Sequence, residues 1–198
     1  MLVGAFITKF GSDSSGSDDC SVSSWDGFKN YVEDKASDAY NAIFKITNVE
    51  KGIMNESVEH GQFFNKEGDM IGDTIVGNKN SIDVSSYQDI AKDSIFTHNH
   101  PTGRQFSLED IQTATGFDMA EIRAVTPDGK VYRMIRGSEG WKVTDPQSIA
   151  MAQTMAQTEL RSDPVAMQFF KEGNQDAVWN MMFEKIAKTI GGEYKVTN

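Results

Sequence analysis

Cysteine is almost missing from this chain, which has one cysteine among its 198 residues. Cys20 therefore has no partner for an intramolecular disulfide, and a zinc cluster built from several thiolates is excluded. Long apolar runs are also missing, since no stretch approaches the ~18 apolar residues of a membrane-spanning helix. Residues 1–10 lack the charged start and the cleavage site of a secretory signal. These absences favour a reducing, cytoplasmic setting and give no reason to expect a membrane partner.

Positive charge is also in short supply. Lysine and arginine total 19 against 29 aspartate and glutamate residues, which gives a formal net charge of -10. Nucleic acids are usually bound through clustered basic side chains that neutralise phosphates. The charge balance therefore disfavours a nucleic-acid partner.

The first quarter of the chain changes character at residue 25. The stretch Gly11 to Asp19 is polar, acidic and low in complexity, which predicts that residues 1–24 form a flexible acidic tail or linker. Beyond it, apolar residues at three- and four-residue spacing predict an amphipathic helix that packs on a partner surface. These residues are Trp25, Phe28, Val32, Ala36, Ala39, Tyr40 and Ile43.

From about Glu56 the spacing becomes that of strands and turns. Two hairpins are predicted, one around the turn Asn65–Gly68 and the other around the turn Thr126–Gly129. Three further segments have the composition of short strands, and the last of them has the apolar character of a buried strand. They are Thr74–Val76, Ser81–Val84 and Ser94–Thr97.

Helix signals dominate residues 145–198. Asp145-Pro146 and Asp163-Pro164 each start a helix, and an apolar stripe from Trp179 to Ile190 ends at Gly191-Gly192. We interpret the stripe as core, with a methionine-rich partner groove as the alternative. The chain is therefore predicted to be α+β, with residues 145–198 forming a helical extension that packs on the same core as residues 25–144.

The strongest chemical signal lies at the end of the predicted strand Ser94–Thr97. His98 and His100 are two residues apart, so on a strand both imidazoles point to one face and can reach one ion. Asp110, in the first turn of the helix that follows Ser107, can supply the third ligand that a catalytic zinc site needs. Ser107 and Asp110 also have the spacing of a capping box, which explains both residues without a metal. Capping does not explain the paired histidines.

The stretch Thr97-His-Asn-His-Pro-Thr-Gly103, followed by Phe106-Ser-Leu-Glu-Asp-Ile111, resembles the JAB (JAMM, MPN-plus) metallopeptidase motif. That motif is His-x-His followed by Ser-x-x-Asp, and the present sequence is most similar to the RadC-like branch. The similarity covers roughly residues 56–135, and the loop between the second histidine and the serine is one residue shorter than is usual in the family. The resemblance implies a JAB-like mixed β-sheet flanked by helices.

The resemblance also implies an upstream glutamate that acts as the general base. Glu50, Glu56 and Glu59 are the candidates, and Glu59 is preferred because it leads directly into the strand that starts near Gly61. By strand alternation the neighbouring His60 then faces away from the site.

These residues define a reaction once the resemblance is granted. Zinc lowers the pKa of water and polarises a carbonyl, Glu59 carries the proton, and Ser107 donates a hydrogen bond to the oxyanion. The prediction is zinc-dependent hydrolysis of a peptide or isopeptide bond, with a protein or peptide as the substrate.

JAB-like domains of this kind look similar to modules in phage-associated proteins and in secreted bacterial toxins. That context implies an effector that acts in the cytoplasm of a target cell, together with a delivery module or an immunity partner. A non-catalytic JAB-like interaction module is the alternative reading. A metal-dependent nuclease toxin is a second alternative, which the acidic balance disfavours.

Overall fold

The computed structural model describes residues 25–198 of the chain. These residues form an α+β fold, and the predicted combination of an N-terminal helix, a mixed sheet and C-terminal helices is confirmed. A 3-10 turn covers Ser85–Tyr87. The helices are α1 (Trp25–Ile53), α2 (Leu108–Gly116), α3 (Pro146–Leu160), α4 (Pro164–Lys171) and α5 (Gln175–Ile190). The strands are β1 (His60–Phe64), β2 (Met70–Val76), β3 (Ile95–Asn99), β4 (Glu121–Val125), β5 (Val131–Arg136) and β6 (Gly192–Thr197).

The six strands form one sheet in the order β2-β1-β3-β4-β5-β6. Both predicted hairpins are present, as the antiparallel pairs β1–β2 and β4–β5. The pair β3–β4 is parallel, because α2 carries the chain from the end of β3 back to the start of β4. In the register, His98 of β3 lies between Gly61 of β1 and Ala124 of β4.

Alternation along the central strands separates the two faces of the sheet. One face carries Val125 and Val131, which pack against Ile53 at the end of α1. The other face carries the main core, to which α2, α3 and α5 also contribute. Its most completely buried side chains include Phe63, Phe96, Ile111, Ile122, Met134, Ile149, Ile186 and Ile190.

The predicted boundaries of the C-terminal helices agree with their capping contacts. The side chain of Asp145 accepts a hydrogen bond from the amide of Ser148, and Asp163 caps α4 in the same way. Helix α5 ends at Gly191, whose φ of 87° lies in the left-handed region that favours glycine. The stripe of α5 is largely core as predicted, although Trp179 is 44% exposed.

Two local predictions were wrong, and the predicted helical extension was incomplete. Ser81–Val84 is not a strand, because it finds no partner in the sheet; the main chain of Ser81 instead closes a turn with Asn78. The helical extension contains the strand β6, whose backbone pairs with β5. In α1, the predicted stripe members Tyr40 and Ile43 are exposed, and the helix is buried through Ala42, Ile46, Glu50 and Ile53.

Two further predictions concern the N-terminal tail and membrane-spanning helices. The flexible tail assigned to residues 1–24 lies outside the described residues, as does Cys20. Within the described part of the chain, no helix combines the length and the apolar character needed to cross a bilayer.

Candidate metal centre

Three of the predicted site residues converge at the end of β3. Nε2 of His98 lies 2.8 Å from Nε2 of His100. The two carboxylate oxygens of Asp110 lie 3.2 Å from the His98 nitrogen and 3.5 Å from the His100 nitrogen. His98 is fully buried, His100 is 5% exposed, and the Asp110 side chain is 15% exposed. These three side chains form a group that could hold a metal ion.

The spacing of the donor atoms matches a small tetrahedral ion. Zinc bonds of ~2.0–2.2 Å at tetrahedral angles place neighbouring ligand atoms about 3.3 Å apart. The two histidine nitrogens are 2.8 Å apart, Oδ1 of Asp110 lies 3.2 Å from His98, and Oδ2 lies 3.5 Å from His100, so each of these contacts is close to that value. Two imidazole lone pairs at 2.8 Å repel each other, so the histidine pair requires either a shared proton or a cation between the rings.

Local structure explains why the sequence brings these groups together. His98 is the fourth residue of β3, and the main-chain amide of His100 donates to Val125, which continues the pairing with β4 past the strand end. The chain then turns, with Gly103 donating to the carbonyl of His100, and enters α2 at Ser107. The first turn of α2 therefore lies over the end of the strand that carries the histidines.

Asp110 makes the capping contacts and also faces the two histidines. Its Oδ2 accepts from the amide of Ser107 at 2.6 Å, and its own amide donates to Oγ of Ser107 at 3.1 Å, which is a complete capping box. The same carboxylate faces both histidines. The cap thus holds the carboxylate in the orientation that a metal ligand needs.

His100 has a defined tautomer. Its Nδ1 lies 3.0 Å from the carbonyl oxygen of Arg104 and 2.9 Å from that of Gln105. Because carbonyl oxygens only accept hydrogen bonds, Nδ1 carries the proton and donates. The lone pair of the neutral ring is then on Nε2, the nitrogen that faces His98 and Asp110.

His98 lies in an apolar part of the core. Its ring stacks on Phe96 with 5.4 Å between the centroids and an interplanar angle of 14°. Gly61, directly opposite on β1, leaves room for this arrangement, since a Cβ there would lie 2.5 Å from the Phe96 ring. Nδ1 of His98 has no hydrogen-bond partner among the described residues, so the polar contacts of the ring are made through Nε2.

Of the three glutamates considered as the base, Glu59 is the one beside this group. The β1–β3 register places Gly61 opposite His98, and its continuation places Glu59 opposite His100 on the same face. The amide of Glu59 donates to Asn78 and its carbonyl accepts from Gly77, which fixes its main chain. Glu50 instead pairs with Arg123 on the opposite face, and Glu56 is exposed.

The charged side chains of this group shift one another's pKa values. Burial raises the pKa of Glu59, while the charges of His98 and His100 act in the opposite direction. Burial alone would lower the pKa of His100, but the hydrogen bond and the charge of Asp110 outweigh it and raise this pKa to about 9. Burial would raise the pKa of Asp110, but the two histidines hold it well below its ordinary value.

The remaining two residues singled out from the sequence are Ser107 and His60. Ser107 is exposed, and its Oγ accepts from the Asp110 amide, so its hydroxyl proton can still be donated to a third group. His60 is partly buried, and its Nδ1 lies 3.1 Å from the carbonyl oxygen of Val58. By alternation its ring belongs to the face away from Glu59, as predicted.

Two supporting residues were missed from the sequence. The amide nitrogen of the Asn99 side chain donates to the carbonyls of Glu56 and Val58, and its oxygen accepts from the amide of His60 at 2.6 Å. Asn99 therefore fixes the segment that carries Glu59. Gln105 holds Nδ1 of His100 through its carbonyl. Asn99 could have been noticed as a buried amide next to the histidines, whereas no sequence signal marks Gln105.

No family model, no curated protein and no solved structure matches this chain in comparisons of sequence and fold.

Proposed function

We propose that His98, His100 and Asp110 bind one zinc ion, and that the protein uses it to hydrolyse a peptide or isopeptide bond, as the resemblance to JAB-type metallopeptidases implies. The observation that carries this proposal is the convergence of two imidazole nitrogens and a carboxylate within 3.5 Å of one another, beside a buried glutamate.

The donor set supports zinc. Two neutral imidazoles and one carboxylate are a known ligand set for catalytic zinc, which keeps a fourth position for water. The main-chain carbonyls at Nδ1 of His100 leave Nε2 for the metal, as second-sphere contacts of zinc-bound histidines commonly do. When zinc has displaced the proton of His100 and Glu59 is ionised, the side chains carry two negative charges, which suit a divalent cation.

Each remaining role belongs to a residue of this chain. His98, His100 and Asp110 would hold the zinc ion, which when bound would lower the pKa of water and polarise a substrate carbonyl. Glu59, whose pKa burial raises, accepts the proton from the attacking water and returns it to the leaving amine. The free hydroxyl proton of Ser107 is donated to the oxyanion. Asn99 keeps Glu59 in place through its three hydrogen bonds to residues 56–60.

Metal analysis of the purified protein tests the first half of the proposal. We expect about one zinc per chain. The double substitution His98→Ala, His100→Ala should abolish binding, whereas His60→Ala should retain it, because that ring makes its contact with Val58 instead. Equal zinc loss in both variants, or a wild-type protein that binds no divalent metal, would contradict the metal site.

Hydrolysis tests the second half. The zinc-loaded protein would be incubated with a fluorogenic peptide library and with peptides joined through a lysine isopeptide bond. Glu59→Gln should reduce turnover by about 100-fold or more while zinc content stays at the wild-type level. Glu56→Gln is the matched control, since Glu56 is exposed and only its carbonyl accepts from Asn99. A Glu59→Gln variant with full turnover would exclude Glu59 as the base.

A further inference from the structure

The loop between the two histidines and α2 is held by the C-terminal part of the chain. Nε2 of Gln105 donates to Oδ1 of Asn180 on α5 at 3.0 Å. The hydroxyl of Tyr194 on β6 lies 3.0 Å from Oε1 of Gln105 and 2.8 Å from Oδ1 of Asn180. Three side chains thus form a closed triangle, here called the Gln105 clamp, in which Gln105 is 8% exposed.

Aromatic contacts fix the same segment beside the clamp. The ring of Phe106 packs edge-on against Phe183 of α5, with 5.9 Å between the centroids, and against Tyr194 at 6.5 Å. Residues 105 and 106 are therefore bound to α5 and β6 by both polar and apolar contacts. Ser107 follows immediately and begins the helix that carries Asp110.

The main chain of Gln105 passes this constraint to the candidate metal centre. Its carbonyl accepts from Nδ1 of His100 at 2.9 Å, and the adjacent carbonyl of Arg104 accepts at 3.0 Å. A loop free to move would release Nδ1, and with it the ring orientation that directs Nε2 toward the other ligands. The clamp side chains themselves make no direct contact with the histidines.

We infer that Asn180 and Tyr194 are positioning residues for the metal centre, which act on His100 through Gln105. This inference rests on the proposed zinc site, but not on hydrolysis. It gives residues 175–197, which contribute no ligand, a role in setting metal affinity. The loop between His100 and Ser107 joins β3 to α2, but its position is fixed by contacts with α5 and β6.

The test compares the double substitution Asn180→Ala, Tyr194→Phe with Ile149→Val, a core change on α3 that lowers stability without touching the clamp. Zinc affinity would be measured by competition with a chromogenic chelator. Loss of a second-sphere contact typically weakens zinc binding about 10–100-fold, and we expect this for the double variant and a change within about twofold for Ile149→Val. Equal losses in the two variants at matched melting temperatures would show a general stability effect and overturn the inference.

A second measurement works without metal. In protein labelled with 15N-histidine, the hydrogen-bonded Nδ1 proton of His100 should exchange with solvent at least about tenfold faster in the double variant than in the wild type or Ile149→Val. If the double variant does not fold, Tyr194→Phe alone keeps the ring and removes the hydroxyl. Unchanged exchange and unchanged zinc affinity would refute the clamp. A protein that binds zinc as inferred but hydrolyses nothing would refute the proposed function alone.

Discussion

Two buried charged clusters lie on opposite faces of the same strands. The first is the candidate metal centre around His98 and His100. The second, here called the arginine cluster, consists of Glu50, Glu121, Arg123 and Arg133. Thr97 pairs with Arg123, and in the next position His98 pairs with Ala124. Consecutive residues on these strands therefore point to different clusters.

The clusters differ in how completely their polar atoms are paired. Arg123 donates to both oxygens of Glu50 and to Glu121, and Arg133 donates to both oxygens of Glu121. Two positive charges meet two negative ones, and Thr97 adds a hydrogen bond to Glu50. In the candidate metal centre, by contrast, two ring nitrogens face each other at 2.8 Å, and Nδ1 of His98 has no hydrogen-bond partner among the described residues. The arginine cluster, whose charges are paired within it, is suited to a structural role. The candidate metal centre, whose ring nitrogens face each other beside a carboxylate, is suited to bind a cation.

The largest expected loss of stability comes from removing the central charge of the arginine cluster. Arg123→Met leaves the buried carboxylates of Glu50 and Glu121 without their main partner, and removing one member of a buried ion pair typically costs about 3–5 kcal/mol. Urea unfolding would measure the loss. Arg161→Met, at an exposed position, should change stability by less than about 0.5 kcal/mol. Similar values for the two variants would mean that the arginine cluster contributes little.

The second prediction distinguishes the proposed ligand role of Asp110 from its capping role. Asp110→Asn keeps an oxygen that can accept from the Ser107 amide but removes the charge that faces the histidines. We expect more than about a hundredfold weaker zinc binding by chelator competition, a greater loss than second-sphere changes give, with the helical circular dichroism retained. Glu109→Gln, one residue earlier and exposed, makes the same change of charge away from the site. If both variants lost affinity equally, Asp110 would act only through long-range charge.

The third effect is the pH dependence of zinc binding. Asp110 raises the pKa of His100 to about 9, so zinc must displace a proton from this ring at lower pH. Affinity should therefore rise by about tenfold per pH unit as the pH increases toward 9, and level off above it. His60→Ala should give the same slope as the wild type. A flat profile between about pH 7 and 9 would show that zinc displaces no proton from His100 in this range, and would contradict the raised pKa.

The smallest effect concerns the cap itself. Ser107→Ala removes the oxygen that accepts from the Asp110 amide and should lower the free energy of unfolding by about 1 kcal/mol. Asp145→Ala removes the corresponding cap of α3 and should cost a similar amount. Thermal or urea unfolding of the metal-free proteins would compare them. An unchanged stability in Ser107→Ala alone would mean that the Asp110 carboxylate anchors the helix start without the serine.

Local signals predicted most of the fold. Asp-Pro at the starts of α3 and α4, Gly191 at the end of α5 and the turn of the β4–β5 hairpin each act within a few residues, so sequence spacing is enough to find them. Strand β6 was missed although Tyr194 and Val196 alternate with polar residues as in a strand. The segment is short and mostly exposed, and its pairing with β5 decides its structure.

The same distinction applies to the site. His98, His100 and Asp110 are close in sequence and share a strand end and a helix start, so their convergence was predictable. Glu59 was preferred because it leads into the first strand, but its position beside the histidines follows from the β1–β3 register, which pairs Gly61 with His98. The clamp joins Gln105 to residues 75 and 89 positions away, and Glu50 and Arg123 are 73 apart. Such contacts depend on the assembled sheet and leave no spacing in the sequence.

The capping box at α2 also has an entropic consequence. A free aspartate loses rotamer freedom when it ligates an ion, and ordering a side chain of this kind costs on the order of 0.5–1.5 kcal/mol. The amide of Ser107 already restrains the carboxylate of Asp110, and the carbonyls of residues 104 and 105 restrain His100 in the same way. That ordering takes place during folding. If the proposed cation binds here, the first turn of α2 has already met part of the ordering cost of its ligands.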